Sequence, residues 1–285
     1  MKAQIRTATR EDVEVCGEFC YRAFSAIADE HNFPPDFPSV EFGRAVVRSM
    51  ISTPGIYGIV AEVDGRIAGS NFQDERSSIA GIGPISVDPD MQNSGAGRAM
   101  MQHLLDRVAA KNFPGVRLVQ AAYHNRSLSL YAKLGFEIRE PLSVMTGPPL
   151  NSSLPGYTVR KATDADLDAC NRLCVRVHGH DRGGELRDAI KDGNACVVER
   201  LDRISGYTTA IGFPGHSVAE SNDDLKAMIL AAPAITGPGF LVPSRNGELL
   251  RWCFGKGFKL MQQMTLMSVG LYNEPTAPFL PSILY

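Results

Sequence analysis

The sequence predicts an α/β fold, a mixed sheet flanked by helices, built as two tandem domains. Three observations lead to this prediction. They are a strand, a glycine-bearing loop and an amphipathic helix over residues 85–108, a second strand and a short helix over residues 116–136, and a segment near the start that recurs past the middle of the chain. A chain of 285 residues exceeds the usual size of one domain and has enough apolar residues for two cores.

The first segment combines a short apolar strand, residues 85–87, with a loop that carries Gly95 and Gly97. A helix follows, because apolar residues recur at the spacing of one helix face: Met100, Met101, Leu104, Leu105 and Val108. The free N–H groups and the dipole at a helix start attract anions, so the loop predicts a site for a phosphate-bearing ligand. Two glycines alone fit a simple tight turn equally well.

Two common phosphate loops do not fit this segment. Gly97 is followed by Arg98 instead of the Lys of a P-loop, and Met100 stands where a dinucleotide fingerprint needs a third glycine. The segment instead resembles motif A of the GNAT superfamily of N-acyltransferases, whose loop holds the pyrophosphate of acetyl-CoA. The resemblance implies acetyl-CoA contacts from a continuous stretch and from the strand before it: Ile85, Val87, Gln92, Asn93, Ser94, Gly95, Ala96, Gly97 and Arg98.

The second segment resembles motif B of the same superfamily. Residues 116–122 read as a strand, and residues 125–136 read as a short helix that ends at Gly135. The resemblance implies that Asn125 contacts the pantetheine arm, that Tyr131 lies near the thioester sulfur, and that Ser127 also belongs to the acetyl-CoA site. Together the two motifs extend the resemblance over residues 3–147.

In this family an amine attacks the thioester carbon directly, which requires three groups. The resemblance assigns oxyanion stabilisation to the backbone N–H of Val87. It assigns protonation of the leaving thiolate to Tyr131, since a phenol with a pKa of about 10 keeps its proton at neutral pH. The alternative is that Tyr131 only packs in the core. No carboxylate occupies the family's usual base position near Gly81 or Ile82. Asp74 and Glu75 are either bases that act through water or, as we expect, solvated turn residues, and neither is assigned as catalytic.

The beginning of the chain recurs, because residues 5–16 match residues 159–170 at a constant offset. The repeat aligns Cys16 with Cys170 and Cys20 with Cys174. We interpret these cysteines as core residues and predict no metal, because no His or acid completes a tetrahedral set. A Pro- and Gly-rich linker over residues 147–156 divides the chain into a catalytic domain, residues 1–148, and a degenerate GNAT-like domain with an apolar tail, residues 149–285.

The second half differs from the first half at both motifs. Its helix near residue 220 starts with Asp223 and Asp224 instead of two glycines, and these carboxylates would repel a pyrophosphate. Either Trp252 or Cys253 stands in place of the tyrosine. We therefore predict one active site per chain and a structural or acceptor-shaping role for this half.

Two further segments bear on substrate binding. The loop over residues 28–39 combines aromatic and acidic residues, which either hold an apolar, cationic amine or only cover the edge of the core. The apolar tail over residues 273–285 is expected to dock, either on the cleft of the first domain or on a partner subunit.

The sequence thus predicts an acetyl-CoA-dependent N-acetyltransferase acting on a small-molecule amine, as a monomer or homodimer. A non-catalytic CoA-binding sensor and a structural or interaction module are the alternatives. The net charge of −2 argues against a nucleic-acid or anionic membrane partner. The sequence has no membrane-length apolar run and no signal-peptide core at its start, and its six cysteines read as reduced thiols, which predicts a cytoplasmic protein.

Overall fold

The computed structural model describes residues 3–284 and shows the predicted mixed α/β fold in both halves of the chain. The N-terminal half contains strands β1 (Gln4–Thr7), β2 (Ile56–Val63), β3 (Arg66–Asp74), β4 (Ala80–Ile82), β5 (Ser86–Val87), β6 (Gly115–Ala121) and β7 (Glu137–Thr146), and helices α1 (Val13–Glu30), α2 (Val40–Ser52), α3 (Ala96–Ala110) and α4 (Asn125–Lys133). The C-terminal half contains strands β8 (Thr158–Lys161), β9 (Cys196–Arg200), β10 (Arg203–Thr208), β11 (Ser217–Ala219), β12 (Phe240–Pro243), β13 (Lys259–Gly270) and β14 (Phe279–Leu280), and helices α5 (Leu167–His178), α6 (Gly183–Lys191), α7 (Asn222–Ala231) and α8 (Gly247–Gly255).

The internal repeat is visible in the hydrogen bonds that start each half. Arg6 donates two bonds of 2.8 Å to Asp12, and Arg160 donates bonds of 2.8 and 2.9 Å to Asp166. In both halves the carboxylate also accepts from the backbone of the threonine three residues earlier. The same bidentate pair therefore connects the first strand to the first long helix in each half.

The two halves exchange strands within one sheet. The order of the larger sheet is β1-β2-β3-β4-β6-β13-β7-β12, so β13 of the second half lies between β6 and β7 of the first half. Strand β13 pairs antiparallel with both neighbours, and β12 pairs antiparallel with the outer edge of β7. Strand β13 of the second half thus lies between β6 and β7 of the first half, and β7 lies between β13 and β12 of the second half. Each half therefore inserts one strand between two strands of the other.

Polar contacts add to this connection between the halves. Arg76 of the first half reaches Asp188 at 2.8 Å, and Arg245 of the second half reaches Glu140 at 2.9 Å. One hydrophobic cluster also draws residues from both halves: Leu142, Val144, Phe213, Leu241, Met264, Leu266 and Phe279. The domain boundary at residues 148/149 stays a prediction, but the two halves share part of one core.

The C-terminal tail docks on its own chain. Strand β14 pairs with β11 of the second half, and the Ile283 amide donates to the Phe213 carbonyl at 2.7 Å. The Leu284 carbonyl lies so close to Gly81 of β4 that a Cβ there would be only 2.3 Å away. The tail therefore lies along the second half, and its end at Leu284 reaches the cleft of the first half, one of the two predicted positions; Tyr285 is outside the described residues. No helix within residues 3–284 is both long and apolar enough to span a membrane.

The exchanged strand predicts cooperative unfolding. If β13 is integral to the sheet of the first half, the full chain should melt in one transition, with calorimetric and van't Hoff enthalpies that agree. A fragment ending at residue 148 lacks β13, so β6 and β7 would expose unpaired edges and the fragment should aggregate. Differential scanning calorimetry and gel filtration check both outcomes. Two well-separated transitions, or a monomeric folded fragment, would contradict the account.

Candidate active site

A cleft opens in the first half where β4 and β5 separate. Strand β4 pairs in parallel with β6, whereas β5, a few residues later, pairs with β3 alone among the described strands. The chain therefore leaves a gap beside β5 that no backbone strand fills. This gap is the position at which the family resemblance places the thioester.

The backbone N–H of Val87 is directed into this gap. Val87 pairs with Gly69 of β3, and the next amide, that of Asp88, donates to the Ala68 carbonyl at 2.8 Å. Bonded and non-bonded residue pairs alternate in an antiparallel ladder, so the Val87–Gly69 pair is the non-bonded kind. The Val87 N–H thus points away from β3, where it is available to an oxyanion.

The glycine loop leads directly into α3. Gly95 is the N-cap residue with φ of +84°, a backbone conformation that favours glycine. The helix starts at Ala96, so the amides of Gly97 and Arg98 lie in the first turn and have no partner inside the helix. The predicted apolar face is confirmed by burial of Met100, Met101, Leu104 and Val108, with Leu105 partly buried against the same core.

Arg126 brings a positive charge to this loop. Its guanidinium donates to the side-chain oxygens of Gln92 and Asn93, the latter at 2.8 Å. It therefore links the start of α4 to the loop before α3. Arg126 was not among the predicted site residues, although its position directly after Asn125 in motif B is a signal for it.

Tyr131 is buried on the inner face of α4. Its side chain belongs to the hydrophobic core and packs edge-on against Phe136, with ring centroids 6.0 Å apart. Burial raises the pKa of Tyr131 to about 12, and a hydrogen bond with Ser127 opposes that increase. The Ser127 hydroxyl in turn lies 2.8 Å from Nδ1 of His124. Tyr131 thus packs in the core and also ends a short chain of polar groups.

One cavity of about 930 Å³ unites these elements. Its volume is near the upper end of the usual range for small-molecule pockets. All the residues that the sequence predicted for the site line it: Ile85, Val87, Gln92, Asn93, Ser94, Gly95, Ala96, Gly97, Arg98, Asn125, Ser127 and Tyr131. The structure therefore brings the two motifs together, and their roles in binding and catalysis stay predictions.

The opposite walls of the cavity come from α1, α2, the loop between them and the second half. Asp36 and Phe37 lie in the loop over residues 28–39. The other lining residues here, with Gln120 of β6, were not predicted as site residues: Phe24, Phe42, Val46, Met50, Gln120, Phe213, Pro214, Met264, Ile283 and Leu284. The sequence predicted a structural or acceptor-shaping role for the second half and docking of the tail, but not which residues reach the cavity, because those depend on the strand exchange and on the path of the tail. Phe37 of the loop over residues 28–39 packs in the core and also lines the cavity, and the role of this loop in holding an amine stays a prediction.

The expectation that Asp74 and Glu75 are solvated was wrong. Asp74 is buried and pairs with Arg76 at 2.6 Å, and Glu75 pairs with Lys111 at 2.6 Å and with Arg107. Turn residues are usually exposed, but here α3 packs its basic side chains over the turn. Neither carboxylate lines the cavity, which agrees with leaving both out of the catalytic set.

The corresponding helix start in the second half is closed by its own side chains. Ser221 is the N-cap of α7 and accepts from the Asp224 amide, while the Asp224 carboxylate accepts from the Ser221 amide at 2.9 Å. Asp224 is fully buried and also bonds the hydroxyl of Ser205. A capping box therefore occupies the position at which the first half leaves amides free.

The backbone hydrogen bonds identify the counterpart of Tyr131. The Phe136 amide donates to the Tyr131 carbonyl, and the Phe258 amide donates to the Cys253 carbonyl. Cys253, and not Trp252, therefore corresponds to the tyrosine, and burial raises the pKa of its thiol to about 12. The four repeated cysteines are buried free thiols, as expected of core residues. Within residues 3–284 no cluster of three or more His, Cys, Asp or Glu side chains is arranged to hold a metal ion.

Comparison with known proteins supports the family assignment. The family model described as the acetyltransferase (GNAT) family matches residues 24–136. The ribosomal protein bS18-alanine N-acetyltransferase of Escherichia coli is 38% identical over 52 residues, which are 18% of this chain and 35% of that relative. The match thus covers about a third of that relative's length.

Two solved structures resemble nearly the whole chain. A candidate acetyltransferase of Pyrococcus horikoshii has a TM-score of 0.70 at 18% identity, covering 96% of this chain and 91% of its own. A tandem GNAT protein from the clavulanic acid biosynthesis pathway has a TM-score of 0.58 at 13% identity, covering 94% and 98%. At these identities the likeness establishes the fold, here a tandem GNAT fold. Residues 24–136 thus match the acetyltransferase (GNAT) family model, and the whole chain has the fold of a tandem GNAT protein.

Proposed function

We propose that the chain is an acetyl-CoA-dependent N-acetyltransferase that acts on a small-molecule amine, with one active site in its first half. The observation that carries the proposal is the single cavity lined by both motifs, by the Val87 N–H and by Tyr131. The second half closes the cavity and supplies no second transferase site, because a capping box and Cys253 stand at the corresponding positions.

The residues present fit an acyl-CoA. The amides of Gly97 and Arg98 suit a pyrophosphate, and the guanidinium of Arg126 adds a positive charge beside them. Gly95 provides the left-handed turn that aims these amides outward from the helix start. Asn125 begins α4 on the same wall, where its amide is available to the pantetheine arm. When bound, acetyl-CoA supplies the acetyl group as a thioester.

The chain's own groups meet two requirements of the transfer: stabilisation of the oxyanion and protonation of the leaving thiolate. The substrate ammonium first gives one proton to solvent. The neutral amine then attacks, so that a C–N bond forms and the C–S bond breaks, and the second proton that the nitrogen loses replaces the one that Tyr131 gives to the thiolate. The Val87 N–H stabilises the negative charge on the carbonyl oxygen. Tyr131 donates its proton to the departing thiolate, and Ser127 with His124 forms the polar path behind it. Burial lowers the pKa of His124, so it is neutral at pH 7 and able to accept a proton.

The direct test measures acetyl-CoA binding and product formation separately. Titration calorimetry gives the acetyl-CoA affinity of the full chain, and thiol release with mass detection follows acetylation of arylalkylamines, polyamines, aminoglycosides, amino acids and a peptide with N-terminal alanine. The proposal expects binding and an acetylated small amine. Binding without any acetylated product identifies a CoA-binding sensor, absence of binding identifies a structural module, and preference for the peptide contradicts the small-molecule assignment.

Tyr131→Phe tests the acid. The substitution keeps the ring in the core and removes the donor, so kcat should fall about 100-fold or more while the Kd for acetyl-CoA changes less than about twofold. Because burial raises the pKa of Tyr131 to about 12, the wild-type rate should not fall through loss of this proton up to pH 10. Tyr157→Phe, a tyrosine outside the cavity lining, is the matched control. Unchanged turnover in Tyr131→Phe would exclude the acid role.

A pair of glycine variants tests the loop. A Cβ at Gly97 would lie 3.5 Å from Val87 Cγ2 inside the cavity, so Gly97→Ala should keep or raise the melting temperature and weaken acetyl-CoA binding about tenfold. Gly95→Ala meets no neighbour but forces φ of +84° on alanine, at a cost of about 1 kcal/mol of folding stability. Thermal melts and calorimetric titration separate the two effects. Tight acetyl-CoA binding by Gly97→Ala would contradict the loop assignment.

A further inference from the structure

An ionisable carboxylate lies beside the aromatic part of the cavity wall. Asp36 belongs to the loop between α1 and α2, and its Oδ1 accepts a hydrogen bond of 3.1 Å from the Gln262 amide of β13. Within residues 3–284, no Lys, Arg or His side chain forms an ion pair with it, and the one hydrogen bond that favours its charged form comes from Gln262. Asp36 therefore lacks a positive partner within the described chain.

The unpaired charge of Asp36 costs free energy unless a ligand compensates it. Burial raises the pKa of Asp36 to about 6, so the group still carries its charge at pH 7. A charged carboxylate among apolar side chains is destabilising until a cation or several donors pair with it. A cationic ligand in the cavity is therefore the partner that the surroundings of Asp36 favour.

The wall around Asp36 is aromatic and aliphatic. Phe24 and Phe37 pack edge-on with ring centroids 4.9 Å apart, and Phe42 lies 6.0 Å from Phe37. Val46 and Met50 of α2 extend this wall, and all five side chains line the cavity. An apolar ligand gains free energy by burial on such a surface, whereas a strongly hydrated ligand finds no hydrogen-bond partner among these five side chains.

A second, independent observation points to a ligand. Gln120 of β6 lines the same cavity with 5% of its surface exposed, and neither its amide nitrogen nor its amide oxygen has a hydrogen-bond partner in the described chain. Buried amides are normally satisfied, because an unpaired one costs free energy comparable to a lost hydrogen bond. A ligand with a hydroxyl or carbonyl group would satisfy Gln120.

We propose that the acceptor is an amine on an aromatic or similarly apolar body, a hydroxylated arylalkylamine in type, whose ammonium group binds Asp36 and whose polar substituent binds Gln120. This inference rests on the proposed function and specifies its substrate class. Gln262 is a positioning residue, because it holds the Asp36 carboxylate through the strand that the second half contributes. The second half thus takes part in acceptor recognition.

The strongest competing occupant is a long acyl chain of the CoA thioester. An acyl chain would use the apolar wall but would leave the charge of Asp36 and both amide atoms of Gln120 uncompensated. A polyamine would pair with Asp36 but would bury little apolar surface on this wall, and its ammonium groups offer no acceptor to the Gln120 amide nitrogen. The arylalkylamine is the class that satisfies all three features.

Binding, measured without turnover, tests the inference separately from the proposed function. In calorimetric titrations of the full chain saturated with CoA, tyramine and phenethylamine should bind at least tenfold more tightly than spermidine or glycinamide. Tighter binding of the hydrophilic amines would overturn the inference even if one of them is acetylated. Use of octanoyl-CoA with a higher kcat/KM than acetyl-CoA, with no competition by arylalkylamines, would overturn it in favour of the acyl chain.

Variants then test the two polar side chains. Asp36→Asn should weaken tyramine binding about 30-fold and leave the Kd for CoA unchanged, because it removes one charge of a buried pair and keeps the size of the side chain. Asp29→Asn, an exposed aspartate of α1 outside the cavity, is the matched control and should change neither affinity. Gln120→Leu should weaken tyramine more than phenethylamine. Equal tyramine affinity in Asp36→Asn and wild type would overturn the assignment, whether or not any amine is acetylated.

Discussion

The insertion of β13 between β6 and β7 is the constraint on which the rest of the structure depends. It completes the sheet of the first half with a strand from the second, and the reciprocal pairing of β7 with β12 does the same in reverse. The same strand carries Gln262 to Asp36 and Met264 to the cavity wall. Separating the halves would therefore expose two strand edges and open the cavity at once.

Within this symmetric framework the two halves have diverged at the places where chemistry requires particular groups. Both keep the Arg–Asp pair that fastens the first strand to the first helix. In the first half Gly95 leaves the first-turn amides of α3 free, whereas Ser221 and Asp224 occupy the start of α7 in the second half. Both halves contribute strands to the shared sheet, and the features expected of an acyl-CoA site lie in the first half.

The parts of the site that are formed by neighbouring residues could be predicted from the sequence. The parts formed by residues far apart in the chain could not. The glycine loop, α3 and α4 follow from short-range patterns, so their positions are confirmed. The strand exchange pairs segments more than 100 residues apart, and a local sequence pattern does not show which distant strands pair. The exchange brings Gln262 within hydrogen-bond distance of Asp36. The burial of Asp74 depends on Arg76, whose interaction with α6 could not be read from a turn sequence.

The central claim is that one acyl-CoA binds each chain, at the helix start after Gly95, with its sulfur directed toward Tyr131. A crystal structure of the full chain grown with CoA tests this most directly. The account predicts pyrophosphate density on the amides of residues 97 and 98, close to Arg126, and a single CoA per chain. CoA at the start of α7, two CoA molecules per chain, or a thiol directed away from the gap beside β5 would contradict it.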